Sequence, residues 1–253
     1  MTEHDNPAAV PANRSRRYLL GALPVAALAA AACSNTASDT TSGATTTSET
    51  SKKNIAEEVG PPPRPATPED AIAVLMAGNK RFIDGQPQVR DTADIKEVWT
   101  SISTGQEPFA TVLACADSRL GPELIFDQFV GDIFVVREAG NIADSPTNLG
   151  SIEFGQAVLG SKALMVLGHS DCGAVKAAFD NATPGANIQA IVDAIEPGIA
   201  GAADLNDAIT RNVTAVIDRI RTKSTLLRDA ETAGKLTIVG AVYNITSAEV
   251  TLL

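Results

Sequence analysis

Histidine and cysteine are scarce in this sequence of 253 residues. It has two histidines, His4 and His169, and three cysteines, Cys33, Cys115 and Cys172. His4 lies in an N-terminal segment that we predict to be removed, so imidazole chemistry in the mature domain depends on His169. This scarcity excludes a metal site of three histidines and a proton shuttle built on a second histidine.

Basic residues are also fewer than acidic ones. The 20 lysines and arginines are outnumbered by 30 aspartates and glutamates, which gives a formal net charge of -10. The surface is therefore expected to repel nucleic acids and anionic membranes, and we predict no nucleic-acid partner. Hydrophobic residues make up 44% of the chain, which is enough for a normal globular core.

No long hydrophobic run follows the basic N-terminal segment. The apolar run of residues 19–32 is too short to predict a membrane span, and we predict that residues 1–32 are a signal peptide. The protein is thus expected to be exported, either to the cell envelope or to the periplasm or extracellular space. Arg16 and Arg17 resemble the twin-arginine export signal, whose receptor accepts folded cargo. An ordinary signal with two adjacent arginines is the alternative.

Cys33 follows three alanines in a pattern that resembles the lipobox of bacterial lipoproteins. A lipid on Cys33 is the only membrane contact that we predict. Ala30 stands where that motif usually has leucine, so simple cleavage by signal peptidase is the alternative. Residues 33–66 are rich in Ser, Thr and Pro and are predicted to be a disordered tether, because they cannot bury enough apolar area to fold.

The folded domain is predicted to span residues 67–253. It begins at Thr67, which is followed by proline and two acidic residues, as is typical of a capped helix. Apolar strands then alternate with helical patterns, which predicts an α/β fold with a mainly parallel central sheet flanked by helices. The predicted strands are residues 109–114, 133–136, 163–167 and 236–242. The predicted helices are residues 67–85, 92–103, 122–128, 149–159, 172–179 and 207–228.

Reactive side chains follow two of these strands. Cys115 comes after the first, and His169 and Cys172 come after the third. Ligands of such sheets bind beyond the carboxyl ends of the strands, so the three side chains are expected to meet there. Two thiolates and an imidazole suit Zn²⁺, and three protein ligands leave a fourth position for water, as in catalytic sites. A Cys115–Cys172 disulfide and a structural zinc site with Asp117 as fourth ligand are the alternatives.

Asp117 and Arg119 lie two residues apart next to the first cysteine. An extended segment places both side chains on one side, where they can form a charge-assisted pair. The pair would keep Asp117 ionised and oriented as a hydrogen-bond acceptor for the reacting water. An exposed ion pair of little energetic consequence is the alternative.

The motif Cys-Ala-Asp-Ser-Arg at 115–119, followed by Gly-His-Ser-Asp-Cys-Gly at 168–173, resembles the β-class carbonic anhydrases. The resemblance covers about residues 67–253. Further motifs that carry it lie at residues 77–82, 134–137, 139–141, 150–154 and 240–243.

The resemblance implies a carbonate dehydratase that interconverts carbon dioxide and bicarbonate. It implies zinc bound by Cys115, His169 and Cys172, with Asp117 and Arg119 as the catalytic pair. It also implies a homodimer or homotetramer with active clefts at subunit interfaces. Gln106, Phe134 and Gly173 are the residues that it places in the substrate cleft.

Two further features follow from the resemblance. In some relatives the aspartate moves onto the metal in a closed, inactive form, so Asp117 is a candidate metal ligand in that form only. Phe154 stands where many members of the family have tyrosine, so a hydroxyl group found in their clefts is missing here.

Other functions remain open at this point. Relatives with this fold hydrolyse carbonyl sulfide or carbon disulfide, and a non-catalytic zinc-binding envelope lipoprotein or a disulfide-stapled binding module also fits the sequence. For a carbonic anhydrase, two thiolates and one imidazole reduce the charge of the zinc centre to formally zero. The reacting water is then harder to ionise, and we expect an activity that rises from neutral to alkaline pH.

Overall fold

The structure is a computed structural model, and it describes residues 64–88, 96, 99, 100 and 102–253. The predicted signal peptide, the predicted lipid site at Cys33 and most of the predicted tether of residues 33–66 lie outside the described residues. Within the described ranges, no helix is both long enough and apolar enough to cross a membrane.

Five strands form one sheet. They are β1 (Ala110–Ala114), β2 (Ile133–Arg137), β3 (Ala163–His169), β4 (Thr237–Tyr243) and β5 (Val250–Leu252). Their order is β2-β1-β3-β4-β5, and only β5 is antiparallel to its neighbour. Every residue of β1 and β3 is buried, as expected of strands covered on both faces. The predicted α/β fold with a mainly parallel central sheet is confirmed.

Helices cover both faces of this sheet. They are α1 (Pro68–Ile83), α2 (Pro122–Ile125), α3 (Pro146–Ala157), α4 (Gly173–Phe179), α5 (Ala186–Ile199), α6 (Leu205–Lys223) and α7 (Thr225–Thr232). A short 3-10 turn, Ala139–Asn141, follows β2. Successive strand residues enter two different hydrophobic clusters, Val112 with Leu75 of α1 and Leu113 with Val213 of α6. This alternation places the two groups of helices on opposite faces.

Polar capping residues determine where several helices begin and end, at one predicted position and at one that was not predicted. The predicted N-cap at Thr67 is confirmed, because its hydroxyl accepts from the Asp70 N–H at 3.1 Å. The predicted helix of residues 207–228 is two helices, since Ser224 ends α6 and its hydroxyl accepts from the Leu227 N–H at the start of α7. Of the predicted helix at residues 92–103, the described residues Lys96, Trp99, Thr100 and Ile102 are helical.

Gly78 allows α1 to approach the segment after α2 very closely. A Cβ atom at this position would lie 1.7 Å from the carbonyl oxygen of Phe126 and 2.9 Å from the side-chain nitrogen of Gln128. The first contact is with the backbone, which cannot rotate away as a side chain can. The close packing of α1 therefore depends on the absence of a side chain at residue 78.

Gly78→Ala is expected to destabilise the protein by about 1–3 kcal/mol, because the added methyl group overpacks this contact. Gly150→Ala is the matched control, since Gly150 lies inside α3 and a Cβ there would meet no described atom within 4 Å. That control should stabilise the protein by roughly 0.5–1 kcal/mol through helix propensity. Urea denaturation measures both free energies of unfolding, and changes of the same sign would contradict the close approach.

Candidate metal centre

Three buried side chains meet at the carboxyl ends of β1 and β3. Cys115 directly follows β1, His169 is the last residue of β3, and Cys172 is the N-cap residue of α4. Because β1 and β3 are adjacent and parallel, with Ala114 paired to Leu167, the two loops leave the same edge of the sheet. One donor atom from each of the three side chains lies within 4.8 Å of the other two.

The chemistry of this cluster fits a zinc ion. Nε2 of His169 is buried and has no hydrogen-bond partner among the described residues, which is rare for a buried polar atom. Nδ1 lies 2.9 Å from the carbonyl oxygen of Ser170, so a proton on Nδ1 is donated there and the lone pair stays on Nε2. Cys115 and Cys172 are free thiols that are 5% and 1% exposed. Two sulfurs and one imidazole nitrogen form a donor set that zinc accepts.

Hydrogen bonds favour one negative charge on the two sulfurs. The neighbouring side chain of Cys172 lowers the pKa of Cys115, although burial opposes this effect. The N–H of Gly140, 3.3 Å from Sγ of Cys115, lowers that pKa further. The same contact between the sulfurs, together with burial, raises the pKa of Cys172. The pair thus retains one proton in the absence of metal, and a metal that takes two thiolates must displace it.

Asp117 and Arg119 form a bidentate ion pair next to this cluster. Nε and Nη2 of Arg119 donate to Oδ1 and Oδ2 of Asp117 at 2.9 and 2.7 Å. These bonds hold the pKa of the Asp117 carboxyl well below its usual range, so the group is ionised at neutral pH. Oδ2 lies 4.0 Å from Nε2 of His169. Both oxygens of the Asp117 carboxylate are thus bound by Arg119.

Arg137 and Asp171 hold the two loops that carry the candidate metal ligands, a role that the sequence did not predict. Arg137 donates from Nε to the carbonyl oxygen of Cys115 at 3.0 Å and from Nη2 to that of Asp117 at 2.6 Å. Asp171 accepts from Arg119 at its carboxylate and at its carbonyl oxygen, at 3.4 and 3.3 Å. Arg119 therefore bridges the two loops. An arginine that ends a neighbouring strand is a signal for Arg137, whereas the sequence offers no comparable signal for the contacts of Asp171.

The predicted cleft residues do not all reach the cluster within one chain. Gly173 is the first residue of α4 and directly follows the second cysteine. Gln106 precedes β1, whereas Cys115 follows its other end, so five strand residues of about 3.3 Å each separate the two positions. Phe134 is the second residue of β2 and packs against Phe154, with ring centroids 6.1 Å apart. Gln106 and Phe134 thus lie towards the opposite end of the sheet.

Comparison with known proteins connects this site to a family. A family model described as carbonic anhydrase matches residues 110–250, more than half of the chain. The chain is 35% identical over 187 residues to carbonic anhydrase 2 of Mycobacterium tuberculosis, which covers 70% of this chain and 89% of that protein. Its fold matches the β-carbonic anhydrase CcaA with a TM-score of 0.57 and 25% identity, over 72% of this chain and 94% of that one. The chain belongs to the β-class carbonic anhydrases.

A third carbonic anhydrase comparison concerns the fold alone. The structures of two tetrameric β-carbonic anhydrases from the filamentous ascomycete Sordaria macrospora match with a TM-score of 0.59 and 20% identity. The match covers 73% of this chain and 97% of that one. The region of the carbonic anhydrase family model contains Cys115, Asp117, Arg119, His169 and Cys172, whereas Gln106 lies just before it.

Cys172→Ser is expected to remove zinc and activity together, because a serine hydroxyl does not replace a thiolate ligand. Asp117→Asn is expected to retain most of the zinc and to lose turnover, since the amide keeps the shape of the side chain but not its charge. Metal analysis of the purified full-length variants measures zinc per chain. Cys33→Ser, a cysteine outside the described residues, is the matched control and should keep its zinc. Equal zinc loss in the Cys172 and Asp117 variants would instead make Asp117 a permanent ligand.

Proposed function

We propose that this chain catalyses the zinc-dependent, reversible hydration of carbon dioxide to bicarbonate and a proton. The observation that carries this proposal is a buried cluster of three donors with an ionised carboxylate fixed next to it. Three protein donors are the number found in catalytic zinc sites. Membership of the β-class carbonic anhydrases supports the same reaction.

Cys115, His169 and Cys172 would hold the metal. When bound, zinc supplies a Lewis acid that makes water a nucleophile near neutral pH, as carbonic anhydrases with histidine ligands illustrate. The protein's part is to bury the site and to fix its ligands. Ser170 fixes the histidine, because its carbonyl oxygen lies 2.9 Å from Nδ1 of His169. The N–H of Ser170 donates to the carbonyl oxygen of Tyr243 at 2.9 Å, which ties this turn to β4.

Asp117 orients the reacting water. An ionised carboxylate only accepts hydrogen bonds, so a water that donates to it directs a lone pair elsewhere, towards carbon dioxide. Arg119 holds the carboxylate by two parallel bonds and so fixes that direction. Because the pKa of Asp117 is far below neutral, Asp117 does not retain the released proton. The proton must pass to solvent or buffer, since the described residues contain no second histidine.

Stopped-flow measurement of carbon dioxide hydration by the full-length protein tests the proposal, with zinc content determined on the same sample. We expect rapid turnover at about one zinc per chain, rising from neutral to alkaline pH because the two thiolates lower the charge of the centre. Fully loaded protein without turnover at any pH in this range would exclude the reaction. A flat pH profile would contradict the charge argument alone.

The proposal includes a homodimer or homotetramer with clefts between chains. Gln106 and Phe134 lie far from the cluster of their own chain, so a second copy would have to supply them. The strand β2 is at the edge of the sheet, and the nearby side chains of Val130, Phe154 and Val158 are exposed. Exposed apolar side chains at a sheet edge favour association with a partner.

Co-expression of two inactive variants tests this arrangement. A mixed dimer of Gln106→Ala and Asp117→Asn chains contains one cleft with both native residues, formed by Asp117 of one chain and Gln106 of the other. Random pairing should restore about a quarter of the wild-type activity, because half of the dimers are mixed and each has one intact cleft. Each variant expressed alone is the control. Activity no higher than the mean of the two controls would place both residues in a cleft of one chain.

For location, we propose export of the folded protein through the twin-arginine signal at Arg16 and Arg17, with a lipid on Cys33. Folding before export lets Cys115 and Cys172 bind zinc in a reducing compartment before they meet an oxidising one. Replacement of both arginines by lysine should leave the protein in the cytoplasm, as measured by cell fractionation. Unchanged export of that variant would indicate an ordinary secretory signal.

A further inference from the structure

A buried asparagine on α6 is linked to the candidate metal centre through one intervening residue. Asn212 is 2% exposed, and its Nδ2 donates to the carbonyl oxygen of Gly140 at 3.0 Å. The N–H of Gly140 in turn points at Sγ of Cys115 at 3.3 Å. One buried amide therefore holds the residue that donates to a candidate metal ligand.

Gly140 depends on such an outside contact for its orientation. Its φ of 72° lies in the left-handed region, and a Cβ atom there would lie 2.7 Å from Cδ1 of Ile195. A residue without a side chain cannot be fixed by its own packing. The bond from Asn212 holds its carbonyl group instead, and this restrains the backbone rotations of Gly140 that would turn its own N–H away from Sγ of Cys115.

The position of Asn212 on α6 is fixed by packing close to the candidate metal centre. The adjacent residue, Val213, packs against β3 and β4 at two glycines. A Cβ atom at Gly168 would lie 2.6 Å from Cγ2 of Val213, and one at Gly240 would lie 2.8 Å from its Cγ1. Gly168 directly precedes His169, so α6 contacts the sheet at the residue before one ligand and reaches another ligand through Gly140.

We infer that Asn212 is a positioning residue of the metal centre, which aims the Gly140 N–H at the sulfur of Cys115. The inference rests on the proposed zinc site and adds to it a residue from a helix on the opposite side of the sheet from α1. A hydrogen bond from a backbone N–H stabilises charge on a thiolate and fixes its lone pairs. Loss of the amide donor should therefore weaken metal retention and change the electronic properties of the sulfur.

Asn212→Leu and Asn212→Asp test this inference in the full-length protein. Both side chains are close to asparagine in size and neither has the amide donor. Val216→Ala is the matched control, because Val216 is equally buried on the same helix and lies in the cluster with Leu113. The control should lower stability without contacting Gly140.

Two measurements that do not involve catalysis separate the possibilities. One is the rate of zinc release to a chelator, and the other is the thiolate-to-metal charge-transfer band of the Co²⁺-loaded protein. We expect both Asn212 variants to release zinc about tenfold faster or more and to shift the band to longer wavelength, with neither change in Val216→Ala. Asn212 variants that match Val216→Ala in both measurements would overturn the inference, whereas a wild-type protein that binds neither metal would overturn the proposed function as well.

Discussion

The parallel pairing of β1 with β3 determines the distances within the metal centre. With Ala114 opposite Leu167, the position after β1 lies opposite Gly168, one residue before His169. Side chains alternate between the faces of a strand, so a slip of one residue would turn one ligand away from the other. Both strands are buried along their whole length, and the same slip would also move apolar side chains between two separate clusters. The packing of the core and the geometry of the site therefore select the same register.

The two arginines near the sulfurs hold the loops through other partners, and the described bonds of neither arginine go to a sulfur. Both described bonds of Arg137 go to backbone carbonyl oxygens of the loop after β1. Arg119 is occupied by Asp117 and Asp171. The backbone N–H of Gly140, which donates to the sulfur of Cys115, is neutral. Neutral donors stabilise a thiolate while leaving its formal charge available to a cation, which suits a site that binds metal.

The central sheet and the ligand cluster were accessible from the sequence because each leaves a local pattern. Continuous apolar runs predict buried strands, and the polar residues after them predict what meets at the sheet edge. β5 is only three residues long, and two of these are exposed, so it has no such pattern. α5 contains Pro197 near its C-terminal end, and Gly185, the residue before the helix, has a φ of 70°. Proline and glycine both weaken the helical signal of the sequence. The role of Asn212 is less accessible still, because it depends on a contact with a residue 72 positions away.

β2 connects the metal centre to the outer edge of the sheet. Its last residue, Arg137, holds the loop that carries Cys115, while its outer edge has no neighbouring strand within the described part of the chain. Phe134, on the same strand, packs against the half-exposed Phe154. A second chain that packs on this edge would therefore restrain the strand from which Arg137 reaches the ligand loop. Association and the order of the candidate metal centre share one structural element, so the two are expected to be coupled even though the three candidate ligands come from a single chain.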